Sequence, residues 1–172
     1  MRPESICTVL FLCTGNSARS IIAEAILNQL VPEKFRAYSA GSHPKGTAHS
    51  YALEALRHFR YPIDGLRSKS WEEFTGPGAP PIDMVITLCD TAASAACPLW
   101  PGHPVTAHWG LPDPAAAPGT EADKRVAFVE TLRLLQRRLE PFTRLPVVPL
   151  DRLLMQQQLK TIEQTIEPDG SR

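Results

Sequence analysis

The stretch Leu10-Phe11-Leu12-Cys13-Thr14-Gly15-Asn16-Ser17-Ala18-Arg19-Ser20 decides how the rest of the chain is read. A short apolar run of strand type delivers Cys13 into a turn that carries Gly15, Asn16 and Ser17, and an amphipathic helical segment opens at Arg19 and Ser20. A strand–loop–helix transition of this kind aims several backbone N–H groups and a helix N-terminus at one tetrahedral oxyanion. Arg19 adds a planar, permanently charged fork. Such a field lowers the pKa of a thiol held within it and favours the thiolate, which is the nucleophilic form. Cys13 is therefore the candidate nucleophile, and Thr14, Gly15, Asn16, Ser17, Ala18, Arg19 and Ser20 are the candidate oxyanion cradle; the plain alternative is a small buried hydrophobe ending a core strand.

Outward from this stretch the chain alternates strands and helices. Residues 6–12 read as a buried strand and 20–30 as a helix, with Ile21, Ile22, Ala25, Ile26 and Leu30 on overlapping i, i+4 faces, ended by Pro32. A strand over 36–39 precedes the Ala40-Gly41-Ser42 turn, and residues 48–60 are helical with Ala52, Leu53, Leu56 and Phe59 in register. The Gly/Pro-rich run 75–81 is a loop. Strands at 82–88 and 105–109 follow, then a helix over 120–139 whose apolar face holds Val126, Val129, Leu132 and Leu135. This order predicts an α/β fold: a single domain over residues 1–140 with a four-stranded parallel sheet and helices on both faces. Ligands of such sheets sit beyond the carboxyl ends of the strands, where Cys13, Cys89 and Asp113 all fall. Residues 141–172 form a C-terminal extension, a proline-punctuated linker and one helix over 150–166 with a Met155, Leu159, Ile162 and Ile166 stripe, expected to pack on its own domain.

Composition narrows the function classes. A chain of 172 residues with 43% apolar content suits one domain with a full core. Lys plus Arg and Asp plus Glu both total 18, so no global charge draws nucleic acid or an anionic membrane. The first apolar run lacks a basic leader and is too short to span a bilayer, so it reads as neither a signal peptide nor a transmembrane segment, and a cytoplasmic location is expected. There, four cysteines suit catalysis or redox chemistry better than structural disulfides. They show no metal-ligand spacing, so neither a metal nor a cofactor is expected.

The run from Cys13 to Ser20 resembles the anion loop of the low-molecular-weight protein tyrosine phosphatase fold, and the flanking residues resemble its arsenate reductase branch, of the thioredoxin-coupled type. Further matches are Ser39-Ala40-Gly41, Thr87-Leu88-Cys89-Asp90, Cys97-Pro98, and His108-Trp109-Gly110 followed by Asp113-Pro114. The resemblance implies that Cys13 attacks the oxyanion, that Ser20 donates its hydroxyl to the thiolate, and that Asn16 braces the loop by bonding Ser20 and Ser39 or Ser42. Asp113, held between Pro112 and Pro114, suits a general acid, a role worth about 10²–10⁴-fold in rate.

Cys89 and Cys97 separate the possible reactions. A phosphatase needs one cysteine, whereas arsenate reduction needs electrons that two further thiols can supply. In the relay the resemblance implies, Cys89 attacks the Cys13 sulfur and Cys97 then exchanges onto Cys89, passing the disulfide to thioredoxin, or to glutathione with glutaredoxin. Their interval holds seven residues, one more than is common in thioredoxin-coupled members. Ala115 stands where the tyrosine phosphatases usually carry a tyrosine that walls in a phosphotyrosine ring, which favours arsenate, a small inorganic oxyanion. Lys69 lies where some relatives carry an acidic ligand for potassium, and its ammonium is a candidate replacement for that cation. The rival readings are a phosphatase of phosphate monoesters and a non-catalytic oxyanion sensor.

Overall fold

The computed structural model describes residues 6–89, 100–147 and 151–168. Four strands, β1 (Cys7–Cys13), β2 (Phe35–Gly41), β3 (Met84–Thr87) and β4 (Val105–His108), pair in parallel in the order β2-β1-β3-β4. The described α-helices are α1 (Arg19–Leu30), α2 (Ser50–His58), α3 (Glu121–Thr143) and α4 (Arg152–Thr165), with 3-10 helices at Trp71–Phe74 and Pro114–Ala116. The chain leaves β1 for β2 on one side and later returns to β3 on the other. The strand order therefore reverses at β1, and the crevice that such a reversal opens lies off the carboxyl ends of β1 and β3. Cys13 closes β1, and Cys89 follows the last residue of β3 by two positions.

Side-chain alternation along β1 builds two cores. Cys7, Val9 and Phe11 join the large cluster that includes buried residues of all four α-helices, while Leu10 and Leu12 pack with Ala40, Phe74, Ile82, Val85 and Trp100 on the opposite face. In α1, residues Ser20 to Leu27 are all buried, so this helix is enclosed on every side rather than amphipathic. Leu30, at its end, is 36% exposed. The helix α3 begins at a Thr120–Asp123 capping box and runs through Pro141 to Thr143, past the expected stop at 139. Pro141 has the φ a helix needs but no N–H to give the Arg137 carbonyl, so it costs the end of α3 one hydrogen bond. Val126, expected on the buried face of α3, is 55% exposed, whereas Phe128, Leu132 and Leu135 are buried. The stripe on α4 buries Met155, Leu159 and Ile162 in the main core, with Ile166 partly buried against it. Among the described residues, no helix is long and apolar enough to cross a membrane.

Candidate active site

The loop after β1 is shaped by what happens to its carbonyls. Thr14, Gly15 and Ser17 turn theirs toward the segment after β2, where the N–H groups of His43, Lys45 and His49 donate at 2.9, 2.9 and 2.8 Å. Because a trans peptide is planar, a carbonyl that points outward turns the following N–H the other way. The N–H groups of Gly15, Asn16 and Ala18 are thereby directed to the inner side of the loop, as an anion-binding concavity requires. The helix α1 starts at Arg19 with Ala18 as N-cap and no side-chain cap, so its first turn also keeps donors for the site.

Asn16 holds the loop in this shape. It is fully buried and adopts φ 42°, a left-handed conformation that asparagine tolerates better than most residues. Its Nδ2 donates to Ser20 Oγ at 2.8 Å, and its Oδ1 accepts from the Lys69 backbone N–H at 2.8 Å. The expected partner on the far side, Ser39 or Ser42, is thus replaced by a main-chain donor: a peptide N–H is fixed in direction where a serine hydroxyl rotates. Ser42 instead pairs with His43 Nδ1 at 3.1 Å. Ser20 Oγ in turn lies 2.9 Å from Cys13 Sγ, which is 3% exposed at the floor of the loop.

A buried ion pair lies beneath the loop. Lys69 Nζ stands 3.7 Å from Glu24 Oε1, both side chains being under a tenth exposed, and also donates to the Arg67 carbonyl at 3.1 Å. Burial pushes the Glu24 carboxyl up, opposed first by Lys69 and then by the Ser39 backbone. Burial also pushes the Lys69 ammonium down, opposed by Glu24. The Lys69 ammonium thus places a buried positive charge, and no oxygen ligand, in the spot it fills beside Glu24.

Cys89 is 5% exposed and forms a separate buried cluster with Cys13, its Sγ lying 3.3 Å from Thr14 Oγ1. Leu88 N–H donates to the Leu12 carbonyl at 2.8 Å, which holds the ends of β1 and β3 in step, with Cys13 and Cys89 one residue beyond this pair. Cys97, and the expected rearrangement between Asp90 and Cys97, lie outside the described residues. Arg19 reaches across the cleft: Nη1 donates to the Leu111 carbonyl at 3.1 Å and Nη2 lies 3.9 Å from Asp113 Oδ2. Asp113 also caps the 3-10 helix through Oδ1, which accepts from Ala115 N–H at 3.0 Å. The cleft so formed has a volume of about 200 Å³ and is lined by residues 13–19 with His43, Lys45 and Asp113.

Several of these roles escape sequence reading. His43 and Lys45 reach the cleft mouth because their backbone N–H groups fasten the loop, and Lys45 lies across Gly15, where a β-carbon would meet its side chain at 3.2 Å. A side chain at position 15 would therefore have to push the flexible Lys45 chain aside by a few tenths of an ångström. Glu24 looks like any polar residue of a helix until Lys69 is found beside it.

A buried cysteine at the floor of the loop after β1, an arginine across the cleft and an aspartate at its rim form, at the carboxyl ends of a parallel α/β sheet, a crevice suited to a small oxyanion. The model of the family "Low molecular weight phosphotyrosine protein phosphatase" matches residues 8–158, and the chain belongs to that family. An arsenate reductase of Bacillus subtilis is 36% identical over 134 residues, covering 78% of this chain and 93% of its own. Among solved structures, Vibrio vulnificus Wzb in complex with benzylphosphonate superposes with a TM-score of 0.63 at 21% identity, covering 80% of this chain and 97% of that one. A thioredoxin-dependent arsenate reductase of Corynebacterium glutamicum superposes with a TM-score of 0.54 at 24% identity, covering 80% and 63%. At these identities the structural likenesses speak for the fold.

Proposed function

We propose that this protein is a cytoplasmic, thioredoxin-coupled arsenate reductase. The observation that carries the reading is the buried Cys13–Cys89 cluster at the floor of the oxyanion loop: hydrolysis needs one of these sulfurs, whereas reduction needs both. The identity with curated arsenate reductases supports it, and so does Ala115, which offers no aromatic wall beside Asp113.

Arsenate enters with its oxygens on the loop N–H groups and the Arg19 guanidinium. The Cys13 thiolate attacks arsenic and forms an S–As bond, and one arsenate oxygen leaves as water with a proton from Asp113. The Cys89 thiolate then attacks the Cys13 sulfur. The S–As bond breaks, its electron pair stays on arsenic, and As(V) departs as As(III) arsenite. The two electrons come from the two sulfurs, which are left as a Cys13–Cys89 disulfide. Cys97 exchanges onto Cys89 and releases Cys13, and a dithiol donor reduces the Cys89–Cys97 disulfide. Ser20 serves as hydroxyl donor to the Cys13 sulfur, and Asn16, anchored on the Lys69 backbone N–H, supports the loop. Lys69 supplies beneath the loop the positive charge that a potassium ion would otherwise carry.

The same loop, Arg19 and Asp113 also fit phosphate-monoester hydrolysis through a Cys13 phospho-enzyme. Arsenate-dependent NADPH oxidation in the presence of thioredoxin and thioredoxin reductase, run beside hydrolysis of an aryl phosphate, tests the choice. Oxidation that exceeds hydrolysis is expected. Hydrolysis without arsenate turnover under either donor system assigns a phosphatase, and turnover of neither substrate under either donor system assigns a sensor. Glutathione with glutaredoxin in place of thioredoxin identifies the donor.

A further inference from the structure

Gly110 is gripped from both sides by charged side chains. Its N–H donates to Glu163 Oε2 at 2.7 Å and its carbonyl accepts from Arg138 Nη1 at 3.2 Å. Arg138 comes from α3 and Glu163 from α4. The Arg138 side chain is also tied to the end of α4, where its Nε donates to the Ile166 carbonyl at 2.9 Å. One residue earlier, the fully buried Trp109 donates its indole N–H to the Leu159 carbonyl of α4 at 3.0 Å.

These contacts sit at the root of the loop that faces the cleft. Directly after Gly110 come the Leu111 carbonyl, which accepts from Arg19 Nη1 at 3.1 Å, and Asp113, 3.9 Å from Arg19 Nη2. A glycine has no side chain by which a core can hold it, so its position is set through its peptide groups. Arg138 is 1% exposed, and removing a guanidinium from water is costly. Burial pushes its pKa down, and Glu163 is the first group to oppose that shift. A leucine would fill the same volume without the cost, so the charge has another use. Glu163 lies beyond residue 158, where the family match ends, so the general family pattern does not account for it.

We propose that Arg138 and Glu163 are positioning residues which clamp Gly110 and thereby hold the Leu111 carbonyl and Asp113 in place against Arg19. The proposal rests on the reading of Arg19 and Asp113 given above. It makes α4 part of the active-site support rather than only a cover for the edge of the sheet.

The full-length protein with Glu163→Ala, Glu163→Gln or Arg138→Met tests it, each rate being divided by the amount of Cys13 titratable with iodoacetamide. Displacing a reacting or binding group by about 1 Å can cost about 100-fold, and a partial release of the loop is expected to lower kcat/KM for arsenate about tenfold in Glu163→Ala. Protection of Cys13 from iodoacetamide by inorganic phosphate should weaken in the same variant. Glu163→Gln keeps an oxygen acceptor for the Gly110 N–H and should recover most of both losses. Arg138→Met should resemble Glu163→Ala; if it does not fold, the Ala and Gln pair at 163 still decides.

A purely structural role would lower the melting temperature and the titratable fraction while leaving kcat/KM and phosphate protection per titrated site unchanged, and that result would overturn the clamp. So would a Glu163→Gln protein as impaired as Glu163→Ala. If the unaltered protein turns over no arsenate, phosphate protection alone reads the clamp. A drop in Glu163→Ala then upholds it while the reductase reading fails.

Discussion

Gly41→Ala tests most sharply whether the loop backbone, and not only its side chains, sets activity. Gly41 ends β2, is paired with Cys13, and donates its N–H to the Lys69 carbonyl at 2.9 Å. Its φ is not in the left-handed region, so alanine meets no backbone penalty there. The obstacle is contact: a β-carbon would lie 2.5 Å from the Thr14 carbonyl oxygen and 3.0 Å from both the backbone nitrogen and the β-carbon of Asn16. An ordinary C···O contact is about 3.3 Å, so about 0.8 Å of relief is needed. The end of β2 cannot supply it easily, since the strand is paired with β1 along its whole length. The loop must move instead, and with it the His43–Thr14 hydrogen bond and the tethered Asn16. A displacement near 1 Å costs about 100-fold in rate, or about 2.7 kcal/mol of transition-state stabilisation. Global stability should fall by about 1–3 kcal/mol, as for other overpacked sites. Steady-state arsenate reduction and phosphate protection of Cys13 are the assays. Gly76→Ala is the control, because a β-carbon there meets nothing within 4 Å. A Gly41→Ala protein within threefold of the unaltered one on both assays would refute the reasoning.

Arg19→Lys should weaken phosphate and sulfate protection of Cys13 at least tenfold, because a point charge cannot reproduce the two parallel donors of a guanidinium; near-normal protection would show that the loop amides suffice. Cys89→Ser should abolish catalytic arsenate reduction yet retain slow hydrolysis of an aryl phosphate, and loss of both in a folded protein would make Cys89 structural. Lys69→Met removes one partner of a buried ion pair, a change that costs about 3–5 kcal/mol when the remaining charge stays ionised. The Glu24 carboxyl, already raised by burial, then rises further, so its ionisation opposes folding and stability is lost as pH climbs through the raised pKa. The stability deficit, measured by urea denaturation, should therefore be larger at pH 8 than at pH 5. A deficit that is independent of pH would separate Lys69 from Glu24.

The parts of the fold legible in the sequence are those set by local pattern. The apolar runs and the turn after Cys13 place β1, the loop and α1 within a residue or two of where they stand. The anion loop is legible for the same reason: its residues are consecutive, so their chemistry can be read without knowing the fold. What escapes is what the fold brings together from afar. The brace on Asn16 comes from a backbone group at Lys69, and main-chain donors leave no mark in residue type. The clamp on Gly110 joins side chains of two helices distant in sequence. The burial of α1 on all sides, and the exposure of Val126 against its apolar pattern, follow from which surfaces neighbouring elements reach. Periodicity within a segment does not carry that information. Pro141 misleads in another way: read as part of a linker, it sits inside the last turn of α3, where it costs one hydrogen bond without ending the helix before it.

The central claim is that two electrons leave Cys13 and Cys89 for one arsenic atom. A single turnover of a Cys97→Ser protein, with arsenate in excess and no external reductant, tests it directly, the arsenite being counted and the thiols mapped by mass spectrometry after alkylation. The account predicts one arsenite per active site, with Cys13 and Cys89 joined in a disulfide and Cys7 still reduced. Arsenite formed while Cys89 remains alkylatable, or no arsenite from a protein that still binds phosphate at Cys13, would contradict it.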